Sequence, residues 1–462
     1  MSGKLTRRSF IAGAGAIGMA SVIGACAPAP TATPQPAPTK AAATAAPQGA
    51  TALPTKPAPT AAPALSGKLT AVFHGSVENP YWTPRLELFR KENPKVEFVA
   101  LPTEGDNQFV QKVSTMMAGG TSPDLLKLTG GRMIALAPTK VMVDLKPYLD
   151  KSTFMQQIWK EVPGEGKEFF FIGKQLAIPL NYWVLLFAYN KDLMDAKGVT
   201  ITNDWTWDDL VNAGLKVTDA KANVYGYTPS VHTFQMTSIW WWDWGTTLFS
   251  PDCAHVNFEQ EGAIKSMEFM AELFTKHKVA PSPELKLGDI GVSFDTGKIG
   301  VIESDTGGIS GQLGEKKTWK FNWQAVVPPK GPVAQTTGLK SDAFSVVNGA
   351  KAPDLAWAFI EWWYKDETQT AFANMGEPVA RRDIRNKVAL PKLPDWFAKA
   401  LEKAGEIGRG YERCPGWSDS QKVWMQEMAP CWLGRANVRE TMLKCDKIAE
   451  DNLVKIMEEY RK

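Results

Sequence analysis

The chain has 462 residues, is 44% hydrophobic and 22% charged, and carries a formal net charge of +3. It is long enough for two or more domain-sized units, and apolar enough to bury large cores. The excess charge sits in residues 1–25, which hold Lys4, Arg7, Arg8 and no acid, so the remainder is neutral; bulk charge therefore excludes binding to nucleic acid or anionic lipid as its business.

The first segment is a targeting signal. Thr6–Ile11 (TRRSFI) resembles the twin-arginine export motif, and the Gly- and Ala-rich stretch to Ala25 is too short for a membrane span. Ile23-Gly24-Ala25-Cys26 resembles a lipobox, which predicts cleavage before Cys26 and a lipid anchor on its sulfur. Two or three acyl chains hold a protein to a membrane stably where one does not. An unmodified secreted protein is the alternative. Residues 26–65 are almost only Ala, Pro, Thr, Gln and Lys and predict a disordered tether. Its ends would sit roughly 35 Å apart as a coil, and about 120 Å apart as extended polyproline.

The folded part begins as a strand, Lys68–His74, then a turn, a helix over Trp82–Lys91 and a second strand ending at Val99. A helix over Phe109–Ala118 and a third strand from Leu125 complete a strand–helix alternation that predicts an open parallel sheet. Ligands of such sheets sit beyond the carboxyl ends of the strands, which brings His74–Glu78 and Thr129–Arg132 to a binding cleft. Asn190 and Thr206 are placed to cap the next two helices, Thr206 with Asp209 three positions on. Phe234–Gly245 holds Trp240, Trp241, Trp242 and Trp244. Further helices are predicted over Phe258–Phe274, Leu287–Phe294 and Asp354–Trp363, and over Trp417–Leu433 and Ala436–Glu459. Strands are predicted to end at Asp305 and Asn348, with Trp323–Val327 and Pro328-Pro329 between them read as a crossing.

Gly166–Leu210 contains GKQLAIPLNYW, FAYNKDLM and TWDDL in that order. It resembles the signature of the family 1 extracellular solute-binding proteins of ABC importers, sugar-binding proteins similar to maltose-binding protein. ENPKVEFV, AGGTSPDLL, TGKIGVIESD and EPVARRD resemble further stretches of that family, so the likeness spans roughly residues 68–460. It implies an α/β, two-lobed periplasmic-binding-protein-like fold, each lobe a mostly parallel sheet flanked by helices, with three hinge crossings. The lobes would be 66–178 with 329–376, and 179–328 with 377–462, the second crossing falling at Pro328-Pro329 and the third at Glu377–Asp383. The implied function is capture of a carbohydrate, an oligosaccharide above all, for delivery to the permease subunits and their ATPase by a monomer anchored through Cys26. Enzymatic activity and a cofactor are not expected. Glycerol-phosphate, polyamine or iron-complex binding on the same fold, or an exported enzyme, are the alternatives.

The resemblance and the strand ends nominate ligand contacts. Trp183 lies four residues after Pro179, Glu303 and Asp305 end a strand, Arg132 follows another, and Trp417 follows Cys414-Pro415-Gly416. His74 and Glu78 close the first strand. Trp240 and Trp241 complete the set, since a flat indole face suits the apolar face of a pyranose while carboxylates and Arg bind its hydroxyls. The plainer alternatives are core for each Trp, a helix cap for Glu303 or Asp305, a turn for His74 or Glu78 and a surface charge for Arg132. No phosphate-binding, zinc-protease, nucleophile-elbow or dinucleotide motif is present, and the four histidines are too scattered for a metal site. Cys253, Cys414, Cys431 and Cys445 can pair in three ways. Cys445 also fits an apolar helical stripe, as a buried thiol.

Overall fold

The computed structural model describes residues 64–461 apart from 105, 315, 377 and 378. The export signal, Cys26, the tether up to residue 63 and the Glu377-Pro378 start of the third crossing lie outside the described residues. Among those described, no helix is long and apolar enough to cross a membrane.

Strands Gly67–His74, Val96–Thr103 and Leu125–Thr129 pair in parallel, and Asp342–Val346 and Ile178–Pro179 extend the sheet antiparallel. The first strand is buried on both faces, which explains its unbroken apolar run. Leu69, Ala71 and Phe73 share a core with Phe89, Phe344 and Phe359, while Val72 belongs with Phe109, Val113 and Leu126. Phe89 has the rings of Phe359 and Trp362 at 4.8 Å each.

The second sheet is built on Trp183–Asn190, which pairs antiparallel with Ile299–Asp305, Trp323–Val326 and Thr337–Lys340. Tyr225–Thr228 and Gly408–Gly410 add parallel edges. Leu185, Phe187 and Tyr189 serve one core, and Val184, Leu186 and Ala188 another, the alternation of a strand buried on both sides. The expected two-lobed α/β architecture is present, but its sheets are mixed rather than mostly parallel.

Two further expectations are corrected. Thr337–Lys340 pairs with Val184 and Trp183 of the second sheet, and Asp342 begins the first, so the second crossing is at Ser341 and not at Pro328-Pro329. Leu287–Phe294 forms turns instead of a helix. Gly288 and Gly291 interrupt it, and Gly291 takes the left-handed conformation (φ 63°) that glycine permits cheaply.

The Asn190 cap accepts the Leu193 N–H, and Thr206 and Asp209 form a reciprocal capping box. The tryptophan-rich helix, Phe234–Asp243, carries Trp240 and Trp241 at 0% exposure and Trp242 at 1%. The expectation that Trp240 or Trp241 faces the cleft is therefore wrong. Trp240 stacks on Trp207 at 3.7 Å, and Trp241 packs on Phe258 at 5.1 Å. Asp243 anchors this core: its carboxylate accepts Trp207 Nε1 at 3.1 Å and Thr336 Oγ1 at 2.7 Å. Burial nonetheless pushes its carboxyl up to about 8.

Cys253 and Cys414 form a disulfide across 161 residues, while Cys431 and Cys445 are free and buried. Because Trp241 fills core space on every side, Trp241→Ala is expected to destabilise the fold by about 3–5 kcal/mol in chemical unfolding.

Candidate functional site

The lobes meet where polar groups leave the strand ends. Lys127 Nζ lies 2.8 Å from Asp342 Oδ2 and donates to the His74 carbonyl at 3.2 Å, tying three neighbouring strands of the first sheet. The half-buried His74 imidazole has its pKa lowered by burial and by the cations Arg132 and Lys127, which favours the neutral ring. Arg132 stands in the first turn of the helix Gly130–Leu136. Burial and the nearby Arg413 lower its pKa.

Arg413 comes from the second lobe, three residues after the Gly408–Gly410 strand. Its Nη2 donates to Glu168 Oε1 at 3.2 Å, and both side chains are almost fully buried. Glu168 Oε2 accepts the Ser341 N–H at 2.9 Å, so this carboxylate links the second crossing to the second lobe. Burial pushes the carboxyl up to about 7, while Arg413 and Ser341 pull the other way. Gly130 makes room for the pair. A Cβ there would lie 2.6 Å from Arg413 Nε and 2.8 Å from Glu168 Oε1.

The second lobe brings carboxylates and an indole. Glu303 accepts hydrogen bonds from the Tyr227 hydroxyl and the Ser230 N–H on Oε1, while its Oε2 is sealed with no partner among the described residues. Burial pushes this carboxyl up to about 8 against the pull of those two donors. Asp305 caps the helix Thr306–Leu313 by accepting the Gly308 N–H at 2.8 Å. Trp183 is half-buried against the same turn, where a Cβ on Gly307 would come within 2.6 Å of its ring. Tyr411 is buried close enough to feel the charges of Arg413, Glu168, Asp305 and Glu303.

A cavity of about 570 Å³ adjoins this cluster, lined by Lys160, Lys167 and Phe170 on one side and Arg409, Tyr411 and Arg413 on the other. That volume lies within the range of small-ligand sites. The disulfide forms part of its wall. Among the described residues, no three His, Cys, Asp or Glu are grouped to hold a metal ion.

Of the nominated residues, His74 and Arg132 stand at first-lobe strand ends, and Trp183, Glu303 and Asp305 lie toward one end of the two paired central strands of the second sheet. Glu78 is exposed in a turn whose helix-capping work is done by Asn79, and among the described residues nothing joins it to the cluster. Trp417 is 7% exposed; it packs on Phe234 and carries Arg413 over its ring at 5.0 Å, supporting the site from below instead of presenting a face. Trp240 and Trp241 are core. Sequence reasoning missed Glu168, Arg413, Tyr411 and Tyr227. Arg413 carried a usable signal, as a charge directly before the Cys414-Pro415-Gly416 turn.

A family model described as "Bacterial extracellular solute-binding protein" matches residues 74–370. The chain belongs to the bacterial extracellular solute-binding protein family. The arabinooligosaccharide-binding protein of Halalkalibacterium halodurans is 29% identical over 111 residues, 23% of this chain and 24% of that protein, so the match spans about a quarter of the curated relative. Among solved structures, an ABC substrate-binding protein from Listeria monocytogenes in complex with cycloalternan aligns over 85% of this chain and 99% of its own, at 21% identity and a TM-score of 0.67. The sugar-binding protein MalE from Xanthomonas citri aligns over 84% and 98%, at 16% identity and a TM-score of 0.73. At these identities the structural likeness establishes the fold.

Within this solute-binding protein, Glu303 generates a pH prediction. The folded state keeps a proton up to about pH 8 that an ordinary carboxyl loses near 4.5, so more protons are bound folded than unfolded, and stability falls as pH rises through that window. Glu303→Gln mimics the protonated form. It should flatten part of the fall in a plot of unfolding free energy against pH, with the Asp243 and Glu168 contributions remaining.

Proposed function

We propose that the protein is the substrate-binding component of an ABC importer and captures a carbohydrate, an oligosaccharide above all, between its lobes. One observation carries this reading: Arg413 and Tyr411 of the second lobe meet Glu168 of the first, with Arg132 on one side of them and the charges of Glu303 and Asp305 within reach on the other. An indole face beside carboxylates and an imidazole suits a pyranose, apolar on its faces and polar at its rim. Each lobe contributes part of the set, so a bound sugar would bridge them and stabilise the closed state that a permease accepts. The work is recognition, with no covalent step.

The local charge balance favours a neutral ligand over a phosphate ester. Lys127 is paired with Asp342 and Arg413 with Glu168, so these cations are already matched. We assign residues 66–178 and 342–376 to the first lobe, and 183–340 with the chain beyond the third crossing to the second. The twin-arginine signal and lipidated Cys26 would hold the receptor, as a monomer, at the outer face of the membrane beside its permease subunits and their ATPase.

The test is thermal unfolding of the protein against mono- and oligosaccharides, phosphate esters and polyamines. A ligand at a hundredfold excess over Kd stabilises by about 2.7 kcal/mol. A rise in Tm with one glycan class, lost in Trp183→Ala, is the expected result. A rise confined to phosphate esters or polyamines would sink the carbohydrate assignment.

A further inference from the structure

Arg385 poses a problem that the carbohydrate groove does not solve. Its side chain is 3% exposed and its guanidinium lies over the Tyr182 ring, 3.8 Å from the centroid. Arginine stays charged in proteins, and a charge removed from water costs several kcal/mol unless it is paired. Its neighbours Arg381 and Arg382 show how this segment ordinarily meets that need. Arg381, 4% exposed, is paired with Asp366 and Asp383, and Arg382 with Glu161. Among the described residues no carboxylate lies within ion-pair distance of Arg385: Glu161 acts on it only from farther off and is itself paired with Arg382, and the Arg385 Nε is sealed without a hydrogen-bond partner.

The side chain beneath it has the same deficit. Tyr182 is 3% exposed and its hydroxyl is buried with no partner among the described residues. Both residues line one cavity of about 80 Å³, together with Thr306, Ser310 and the apolar side chains of Leu390 and Phe397. Thr306, whose oxygen already accepts the Val184 N–H at 3.3 Å, supplies a further hydroxyl at the wall. No acid lines the space, and the one other charged residue there is Lys392. The cavity thus offers positive charge and hydroxyl donors with no negative group to meet them.

We propose that this pocket binds a small monovalent anion, chloride or a one- or two-carbon carboxylate, as the counter-ion of Arg385, with the Tyr182 and Thr306 hydroxyls as further donors. An allowance of about 30 Å³ per water makes the space sufficient for an ion of that size and too small for a sugar. The site joins the first crossing and the segment after the third to the second lobe. Tyr182 stands in the first crossing, between Asn181, which bridges to Val379, and Trp183 of the groove. Thr306 opens the helix capped by Asp305, and Arg385 follows the third crossing. The ion therefore stabilises the packing of two crossing segments behind the ligand groove. This proposal is independent of which solute the groove takes.

The test is thermal unfolding of the full chain at constant ionic strength, with sodium isethionate replaced stepwise by sodium chloride or sodium formate. Isethionate is bulkier than the proposed ions, carries no sugar-like polyol chain and serves as the reference anion. A saturable rise in Tm is expected, absent in Arg385→Met, which fills the space without charge. In Tyr182→Phe the half-saturating concentration should rise about tenfold, the loss of one hydrogen bond to an ion. A flat Tm in the wild type, or an equal rise in Arg385→Met, would overturn the proposal. Should Arg385→Met fail to fold, crystals grown in sodium bromide decide: an anomalous peak beside Arg385 supports the site, and its absence sinks it.

Discussion

The arrangement of the lobes depends on one buried carboxylate, Glu168, being matched by groups from separate parts of the chain. Arg413 reaches it from the second lobe, Ser341 from a crossing, and Gly130 of the first lobe leaves the space in which the pair sits. Desolvating two charges costs energy that only good geometry and added hydrogen bonds offset, and losing one partner costs about 3–5 kcal/mol. Such a pair is a poor source of net stability, but it is selective. It is satisfied in one relative placement of the lobes and left unsatisfied in others.

The crossings obey the same logic with neutral groups. Ser341 Oγ donates to the Asn181 carbonyl at 2.8 Å, and Asn181 Oδ1 accepts the Asp342 N–H at 2.9 Å. Trp363 Nε1 donates to the Leu180 carbonyl at 2.8 Å, fastening the first crossing to the aromatic core of the first lobe. The straps are packed as well as bonded: Leu180, Val379 and Ala380 are buried in the first-lobe core and Tyr182 in a core of the second lobe, so apolar contact and directional bonds together hold the crossings.

Much of the fold was legible in the sequence because its signals are local. The Asn190 and Thr206 caps, the apolar run of the Trp183–Asn190 strand and the stripe that buries Cys445 follow from residues a few positions apart. The second crossing was misplaced because Pro328-Pro329 looks like a break, whereas the change of sheet at Ser341 rests on hydrogen bonds to strands more than a hundred residues away. The false Leu287–Phe294 helix had the apolar content of a helix, but Gly288 and Gly291 cost it the backbone entropy that a short exposed segment cannot recover. The cysteine pairing and the Glu168–Arg413 contact are tertiary facts across 161 and 245 residues, which no local pattern encodes.

The tryptophans show where chemical intuition outran geometry. Phe234–Asp243 is apolar on nearly every face, and a helix of that kind belongs inside a core; the run FQMTSIWWWD already argued against a display of indoles to ligand. Burying three adjacent Trp rings leaves Trp183 as the nominated indole that stays partly open at the groove. For the proposed carbohydrate receptor this shifts the weight of recognition from stacking to hydrogen bonding. Glu303 holds this wall in place, its Oε1 accepting from Tyr227 and Ser230 and its Oε2 sealed from solvent. Lys127 and Arg413 are already paired, so an anionic ligand would gain little from them, whereas a neutral polyol can exchange water for polar groups without disturbing the Glu168–Arg413 pair.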